Sequence, residues 1–320
     1  ADSGLSLQAV FFDYDKDGDL DFYLLNNSNR SVGIFDLREG QRSMRDPFGG
    51  NKLYRNEGNH FVDVSEQSGI YGSAIGFGLG VIAADLNRDG WQDLFVSNDF
   101  FERDYLYINN QDGTFSEVLE EVMAEISMGS MGVDIADLNN DGFPEVYVTE
   151  MLPDTLPRVK TKSTFEDWNK FNQNVKQGYH RQYSRNVLYF HQGLDENGFP
   201  RFSEVSRYAS LAATDWSWST LIFDADNDGL RDIFVANGIA KDLLDQDYIN
   251  FAVPEIMGNP KFRRDSILLT SLIQHMPEEP IRNYFFKNGG DFNFEDVTNN
   301  SGLTEKTFSN GAAYGDLDND

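Results

Sequence analysis

The chain has 320 residues, of which 40% are hydrophobic and 14% aromatic, and it carries a formal charge of −27. That composition supports a folded core of one large β domain or two ordinary domains. The acidity excludes nucleic acid as a partner, because phosphate binding needs clustered basic residues, and it disfavours docking on anionic lipid. The chain lacks cysteine, which removes disulfide and thiol chemistry.

The first element is an apolar run, Ala9-Val10-Phe11-Phe12, followed by Asp13-Tyr14-Asp15-Lys16-Asp17-Gly18-Asp19-Leu20-Asp21 and then by Phe22-Tyr23-Leu24-Leu25. The acidic stretch returns at 85–93, 137–145 and 224–232, and opens again at Asp316-Leu317-Asp318-Asn319-Asp320. Oxygen side chains at positions 1, 3 and 5 converge when the backbone curls around a point. Glycine at position 6 permits the sharp turn, position 7 offers a carbonyl and position 9 a carboxylate. Six to eight oxygens in irregular geometry suit calcium better than magnesium, and the four histidines lie outside the loops, which argues against zinc. An isolated acidic stretch is more often a solvated turn, but its recurrence in matching context favours a metal loop.

An EF-hand also begins D-x-D-x-D-G, but it needs glutamate at position 12 and flanking helices. Here position 12 is Leu24, Val96, Val148 and Val235, and the flanks are β-type runs such as Leu94-Phe95-Val96, Val146-Tyr147-Val148 and Ile233-Phe234-Val235. Each loop therefore joins two strands.

A second hairpin follows each loop. Its signature is Leu53-Tyr54-Arg55-Asn56 with Phe61-Val62-Asp63-Val64, then Leu106-Tyr107-Ile108-Asn109 with Phe115-Ser116-Glu117-Val118. The third unit stretches it, Leu188-Tyr189-Phe190-His191 with Phe202-Ser203-Glu204-Val205, and the fourth has Tyr284-Phe285-Phe286-Lys287-Asn288 with Phe294-Glu295-Asp296-Val297. Two hairpins make four strands per unit, the content of one propeller blade. The fold class expected is all-β: a β-propeller of four-stranded blades with calcium loops and small helical insertions. The units run about 1–70, 71–125, 126–211 and 212–303, with the start of a fifth at 304–320, all within a single domain. Small residues precede the loops, as Gly76, Gly78 and Gly80, Gly129 and Gly132, Ser217 and Ser219, and Gly311, Ala312 and Ala313. They suit an innermost strand crowded at the propeller axis, although glycine there also marks bulges.

Uneven loop spacing implies insertions, at 27–51, 150–185 and 238–283. The second begins with Pro153 and Pro157 and contains Phe165-Glu166-Asp167-Trp168-Asn169-Lys170-Phe171, read as a short helix. The third reads as two helices, near 245–257 and 265–275. Such insertions either carry a propeller's binding role or brace neighbouring blades. Trp168, Phe171, Tyr179 and Tyr183 are the candidate partner-binding anchors, with packing beneath the loop as the alternative.

The repeats resemble the FG-GAP/VCBS family, the repeats of the integrin α-subunit propeller. A closer likeness is to bacterial VCBS-repeat proteins that carry an ASPIC/UnbV domain, related to cartilage acidic protein. It is carried by Tyr183-Ser184-Arg185-Asn186, Ala213-Thr214-Asp215-Trp216-Ser217-Trp218-Ser219, Val235-Ala236-Asn237-Gly238-Ile239 and Phe308-Ser309-Asn310-Gly311-Ala312-Ala313-Tyr314. The ASPIC/UnbV domain itself is not seen in the sequence.

The resemblance implies about one Ca²⁺ per complete repeat. The implied ligands are Asp13, Asp15, Asp17, the Asp19 carbonyl and Asp21; then Asp85, Asn87, Asp89, the Trp91 carbonyl and Asp93. The third set is Asp137, Asn139, Asp141, the Phe143 carbonyl and Glu145, and the fourth Asp224, Asp226, Asp228, the Leu230 carbonyl and Asp232. In the incomplete fifth loop they are Asp316, Asp318 and Asp320. Glu145 and Pro144 depart from the pattern, and Asn87 and Asn139 each replace a carboxylate, so weaker sites are expected there. Family propellers have about seven blades, so further blades are expected in the same polypeptide.

The resemblance implies an extracellular or cell-surface, outer-membrane-associated location, with the periplasm as alternative. The function expected is a protein- or glycan-binding module. The alternative is a scaffold subunit of an outer-membrane transport, secretion or assembly complex, a lipoprotein in many such cases. A carbohydrate-active enzyme is a weaker reading, because calcium-bound carboxylates are poor general acids. His60, His180, His191 and His275 show no triad or metal spacing, and the nucleophile-elbow, P-loop and dinucleotide motifs are not found. The chain is therefore read as a non-enzyme, with no transmembrane segment in the sequence given.

Overall fold

The structure is a computed structural model and describes residues 4–28, 40–164, 167–259 and 265–315. Asp316, Asp318 and Asp320, residues 29–39 of the first insertion, and Phe165 and Glu166 of the second lie outside the described residues.

The chain lays down its strands as up-and-down meanders. The first sheet contains β1 (Leu5–Phe12), β2 (Asp21–Asn27), β3 (Lys52–Asn56) and β4 (Phe61–Asp63) in that order, all antiparallel. The second contains β5 (Gly78–Ala84), β6 (Asp93–Asn98), β7 (Tyr105–Asn109) and β8 (Phe115–Glu117), followed by the short helix α1 (Leu119–Val122). A two-residue strand, β9 (Ile126–Ser127), precedes the third sheet, whose members are β10 (Val133–Ala136), β11 (Glu145–Val148), β13 (Val187–Leu194) and β14 (Pro200–Glu204). Between β11 and β13 lie α2 (Leu156–Lys162), α3 (Trp168–Lys176) and β12 (Gln182–Tyr183), which pairs with β9 in parallel. The fourth sheet contains β15 (Ser217–Phe223), β16 (Asp232–Asn237), β18 (Tyr284–Asn288) and β19 (Phe294–Asp296). Its insertion holds a π-helical turn (Tyr248–Ala252), α4 (Val253–Gly258), α5 (Asp265–His275) and β17 (Ile281–Arg282). The architecture is all-β, with the meandering four-stranded sheets of propeller blades.

The core lies between sheets rather than within one. Side chains alternate along a strand, so Leu94 and Val96 of β6 pack towards the first blade with Tyr23, Leu25 and Leu53, while Phe95 packs towards the third. Likewise Val146 and Val148 join the cluster shared with the second blade, and Tyr147 the one shared with the fourth. Both faces of β6 and β11 are covered, and every residue of each is buried. The first strands of successive blades, β1, β5, β10 and β15, approach one another along the inside of the arc.

Two of the inner-strand glycines answer to that crowding. A Cβ on Gly132 would stand 2.7 Å from Ser219 Cα and 2.8 Å from the Trp218 carbonyl oxygen, both main-chain atoms of the next blade. On Gly80 it would stand 2.8 Å from the Met131 carbonyl oxygen. Gly76 has only ordinary contacts and Gly311 has none within 4 Å, so crowding does not require glycine at those positions. Glycine also accompanies a recurring bulge: register shifts fall between Ser6 and Gln8, Gly78 and Gly80, and Ser217 and Ser219, at equivalent places in three blades. Gly132→Ala is expected to lower stability by about 2–4 kcal/mol, because backbone rather than a side-chain tip must yield. A thermal melt checks it, with Gly311→Ala expected to be near neutral.

The second insertion differs from its expected form. Within the described residues its main helix runs Trp168–Lys176, and Asp167 caps it by accepting the Asn169 N–H at 2.8 Å and the Lys170 N–H at 3.3 Å. An additional helix, α2, forms around Pro157, which sits in its first turn, where a missing N–H costs nothing.

Candidate metal loops and insertion face

All four complete loops fold the same way. The position-6 glycine N–H donates to the position-1 carboxylate: Gly18 to Asp13 (3.1 Å), Gly90 to Asp85 (2.8 Å), Gly142 to Asp137 (2.8 Å) and Gly229 to Asp224 (2.9 Å). The position-5 aspartate accepts the position-7 N–H at 2.8–2.9 Å throughout, at Asp17, Asp89, Asp141 and Asp228. Position 4 adopts a left-handed backbone, with φ of 59° at Lys16, 60° at Arg88 and Asn140, and 58° at Asn227. Position 9 closes the base of the loop by accepting the position-2 N–H, as in Tyr14 to Asp21 (3.2 Å), Leu86 to Asp93 (2.8 Å), Leu138 to Glu145 (2.8 Å) and Ala225 to Asp232 (3.2 Å).

The loops are not equal in charge. Carboxylate oxygens of Asp13, Asp15 and Asp21 lie within 4.8 Å of one another, as do those of Asp224, Asp226 and Asp228. In the second and third loops an asparagine amide takes one carboxylate's place, and Asn87 and Asn139 donate to Asp89 and Asp141 at 3.0 Å. Burial pushes the position-9 carboxyls up, Asp21 to about 6 and Asp93 and Glu145 to about 7. Burial also raises Asp15, seconded by the negative charge of Asp17. Asp13 Oδ1, Asp15 Oδ1 and Glu145 Oε1 are buried without a hydrogen-bond partner. Buried acceptors of this kind fit a hard cation, which would satisfy them and favour ionisation. The fourth loop differs in that Lys287 pairs with Asp226 and, at 3.3 Å, with Asp228.

The loops also join blade to blade, through residues that the sequence reading left as hairpin turns. Near the end of each blade's third strand stands Asn56, Asn109, His191 or Asn288, the terminal residue in every blade but the third, where β13 continues to Leu194. In three blades its N–H donates to the position-9 carboxylate, from Asn56 (2.8 Å), Asn109 (2.9 Å) and Asn288 (2.9 Å). Its side chain then reaches the position-2 carbonyl of the preceding loop: Asn109 to Tyr14 (2.8 Å), His191 to Leu86 (2.9 Å) and Asn288 to Leu138 (2.9 Å). Position 4 makes a parallel link, with Lys16 over Trp91 at 4.5 Å, Arg88 over Phe143 at 4.8 Å, and Asn140 donating to the Gly229 carbonyl at 2.8 Å.

A strand that leaves a loop ends at the opposite edge of its sheet. The insertions following β2, β11 and β16 therefore share the face opposite the loops. Ion pairs hold this face together: Arg158 with Asp215 and Glu279, Lys162 with Asp242 (2.8 Å) and Asp245 (2.5 Å), and Arg42 with Glu102. Trp168 is 68% exposed and stacks on Phe171 at 5.2 Å, and Phe171 meets Tyr183 at 5.4 Å. Tyr179 is a correction. At 2% exposure, with the Arg42 guanidinium over its ring, it packs inside the insertion and is no contact anchor.

Comparison with known families matches residues 13–96 and 85–148 to the FG-GAP-like repeat. Residues 13–148 carry FG-GAP-like repeats. Among curated relatives of these repeats, integrin alpha-3 of Mus musculus is 32% identical over 99 residues, covering 27% of this chain and 9% of the integrin. Integrin alpha-7 of Homo sapiens is 38% identical over 84 residues, covering 23% of this chain and 7% of the integrin. The match thus spans less than a tenth of either relative. Among solved structures, an Agrocybe aegerita lectin described as recognising non-reducing terminal N-acetylglucosamine aligns over 95% of this chain and 70% of its own, at 13% identity and a TM-score of 0.29. Among the described residues no helix is long and apolar enough to cross a membrane.

Proposed function

We propose that this chain is part of a single calcium-stabilised β-propeller domain, located outside the cell or at its surface, that presents its insertion face to a protein or glycan partner. The observation that carries the reading is the fourfold recurrence of one loop geometry, with buried, unpartnered carboxylate oxygens in the first and third loops and acids clustered within 4.8 Å in the first and fourth. Positions 1, 3, 5, 7 and 9 of each loop would hold the ion, with the residues named above. Bound calcium supplies electrostatic neutralisation of the clustered acids. The chain's own part is to curl each turn through the position-6 glycine and to anchor position 9 at the sheet edge. The narrower affiliation with VCBS-repeat proteins that carry an ASPIC/UnbV domain, and an outer-membrane setting, rest on the sequence resemblance.

Partner contact is assigned to Trp168, Phe171 and Tyr183, since the exposed Trp168 ring leads a line of aromatic contacts along the insertion face. Glycan-array and cell-surface-protein capture by the isolated protein, run beside Trp168→Ala, tests this. The expected result is a roughly tenfold or greater loss of the captured partner with an unchanged melting temperature. Retained binding with lowered stability would give Trp168 a packing role instead.

A further inference from the structure

On the insertion face, the residue thirteen positions after the start of each loop, at or near the end of the blade's second strand, has an N–H that donates to a side-chain oxygen of the same blade. The pairs are Asn26 to Asn51 (3.0 Å), Asn98 to Asp104 (2.7 Å), Glu150 to Asn186 (2.7 Å) and Asn237 to Asn283 (2.8 Å). In three blades this residue is asparagine. Its amide also donates to a main-chain carbonyl: Asn26 to Gly50 (2.9 Å), Asn98 to Arg103 (2.9 Å) and Asn237 to Arg282 (3.0 Å). The third blade has Glu150, and a carboxylate has no N–H with which to close that bond. Both of its oxygens instead accept from Ser184 Oγ, at 3.0 and 3.2 Å, and the residue is 1% exposed.

Freed from the asparagine's role, Glu150 lines a cavity of about 480 Å³ between α2, α3 and the rim of the second and third blades, within the range of small-molecule sites. Phe101, Met128, Met151 and Phe171 are among its walls. Asp99 stands close by: a Cβ on Gly129 would lie 3.1 Å from Asp99 Oδ1 and 3.4 Å from Glu150 Oε1, so glycine keeps the space between the two acids clear. Several buried acids of this face have a basic partner, as Glu102 has Arg42, Asp215 has Arg158 and Glu204 has Arg185, whereas Asp104 is held by the Asn98 N–H (2.7 Å) and Ser130 Oγ (2.8 Å). Among the described residues, neither Glu150 nor Asp99 is ion-paired with a lysine or arginine. Of the two lysines that line the cavity, Lys162 is paired with Asp242 and Asp245, and Lys170 lies over the ring of Phe101, itself a wall, at 4.7 Å. Burial, with the Asp99 charge adding to it, pushes the Glu150 carboxyl up to about 8. A buried acid without a counter-charge is costly, and a chain of net charge −27 concentrates cations at its surface.

We propose that this cavity binds a small organic amine, its ammonium paired with Glu150 beside Asp99 and its apolar body against Phe101, Met128, Met151 and Phe171. The test is isothermal titration of the full, calcium-loaded chain with phenethylamine and with its neutral analogue 3-phenylpropan-1-ol, repeated on Glu150→Gln. The expected result is saturable one-to-one binding of the amine and binding of the alcohol weaker by about tenfold or more, since hydrogen bonds to charged groups are the stronger ones. Glu150→Gln should lose amine binding by a similar factor while melting no lower than wild type, because its neutral amide can donate as the asparagines do. Absence of saturable amine binding, equal affinity for the alcohol, or unchanged amine affinity in Glu150→Gln would each overturn the proposal. Should Glu150→Gln melt lower, Phe171→Ala decides. It keeps the charge and removes a wall, so amine affinity should fall by about fivefold, and unchanged affinity would again refute the site.

Discussion

Chelation of divalent ions is expected to lower the melting temperature of this protein by about 20 °C, with full recovery on adding calcium. The size follows from linkage. One site filled at a hundred times its dissociation constant stabilises the native state by about 2.7 kcal/mol, so four such sites contribute about 11 kcal/mol, which is comparable to the whole stability of a typical domain. The loops give the physical reason to expect that dependence. Asp13 Oδ1, Asp15 Oδ1 and Glu145 Oε1 are buried acceptors with no protein donor, and the acids around them repel one another. Magnesium at the same concentration is expected to restore little, because it demands a stricter octahedron than these loops of five or so protein oxygens offer. Thermal melts followed by far-UV circular dichroism in chelator, calcium and magnesium check this. A melting curve indifferent to chelator would remove the metal from the account.

The second large effect is expected from Asn288→Ala. The side-chain amide of Asn288 donates to the Leu138 carbonyl of the preceding blade at 2.9 Å and to the Arg231 carbonyl at 3.0 Å, and the residue is 2% exposed. Its removal leaves two acceptors without their donor, a loss of about 2–4 kcal/mol. Asn56 provides the comparison. It holds the equivalent position in the first blade, and its amide donates to Leu20 of its own loop at 3.1 Å. Asn56→Ala is therefore expected to cost about 1 kcal/mol. Denaturant titration of the two variants measures the difference, and equal losses would show that the inter-blade bond contributes nothing beyond the local one.

How much of this was legible beforehand depended on how local the signal was. Each candidate metal loop is written in nine consecutive residues, and its strand neighbours announce themselves as short apolar runs, so the blades could be read directly. The inter-blade bonds could not: Asn109 and its acceptor Tyr14 are 95 positions apart, and asparagine in Tyr107-Ile108-Asn109-Asn110 reads as ordinary turn chemistry. His191 in the third blade shows that the slot selects for a donor and not for one residue type, which hides it further from pattern. Tyr179 was read as a surface aromatic because its cover is Arg42, which also donates to the Gly178 carbonyl from 136 positions away. The helix α2 has no expectation in the sequence for a local reason, since Pro157 carries no helical periodicity of its own although it occupies the helix's first turn. Glu150 was passed over because its meaning lies in alignment with Asn26, Asn98 and Asn237, a comparison between units rather than within one.

In the second, third and fourth blades the donor near the end of the third strand rests on the main chain of the preceding loop, at the peptide between positions 2 and 3. A vacancy at 137–145 would therefore loosen the seat of Asn288, whose N–H holds Asp232, and with it the base of the loop at 224–232. The four sites should then fill cooperatively, steeper than independent binders, with damage at one acid felt most at its neighbour further along the arc.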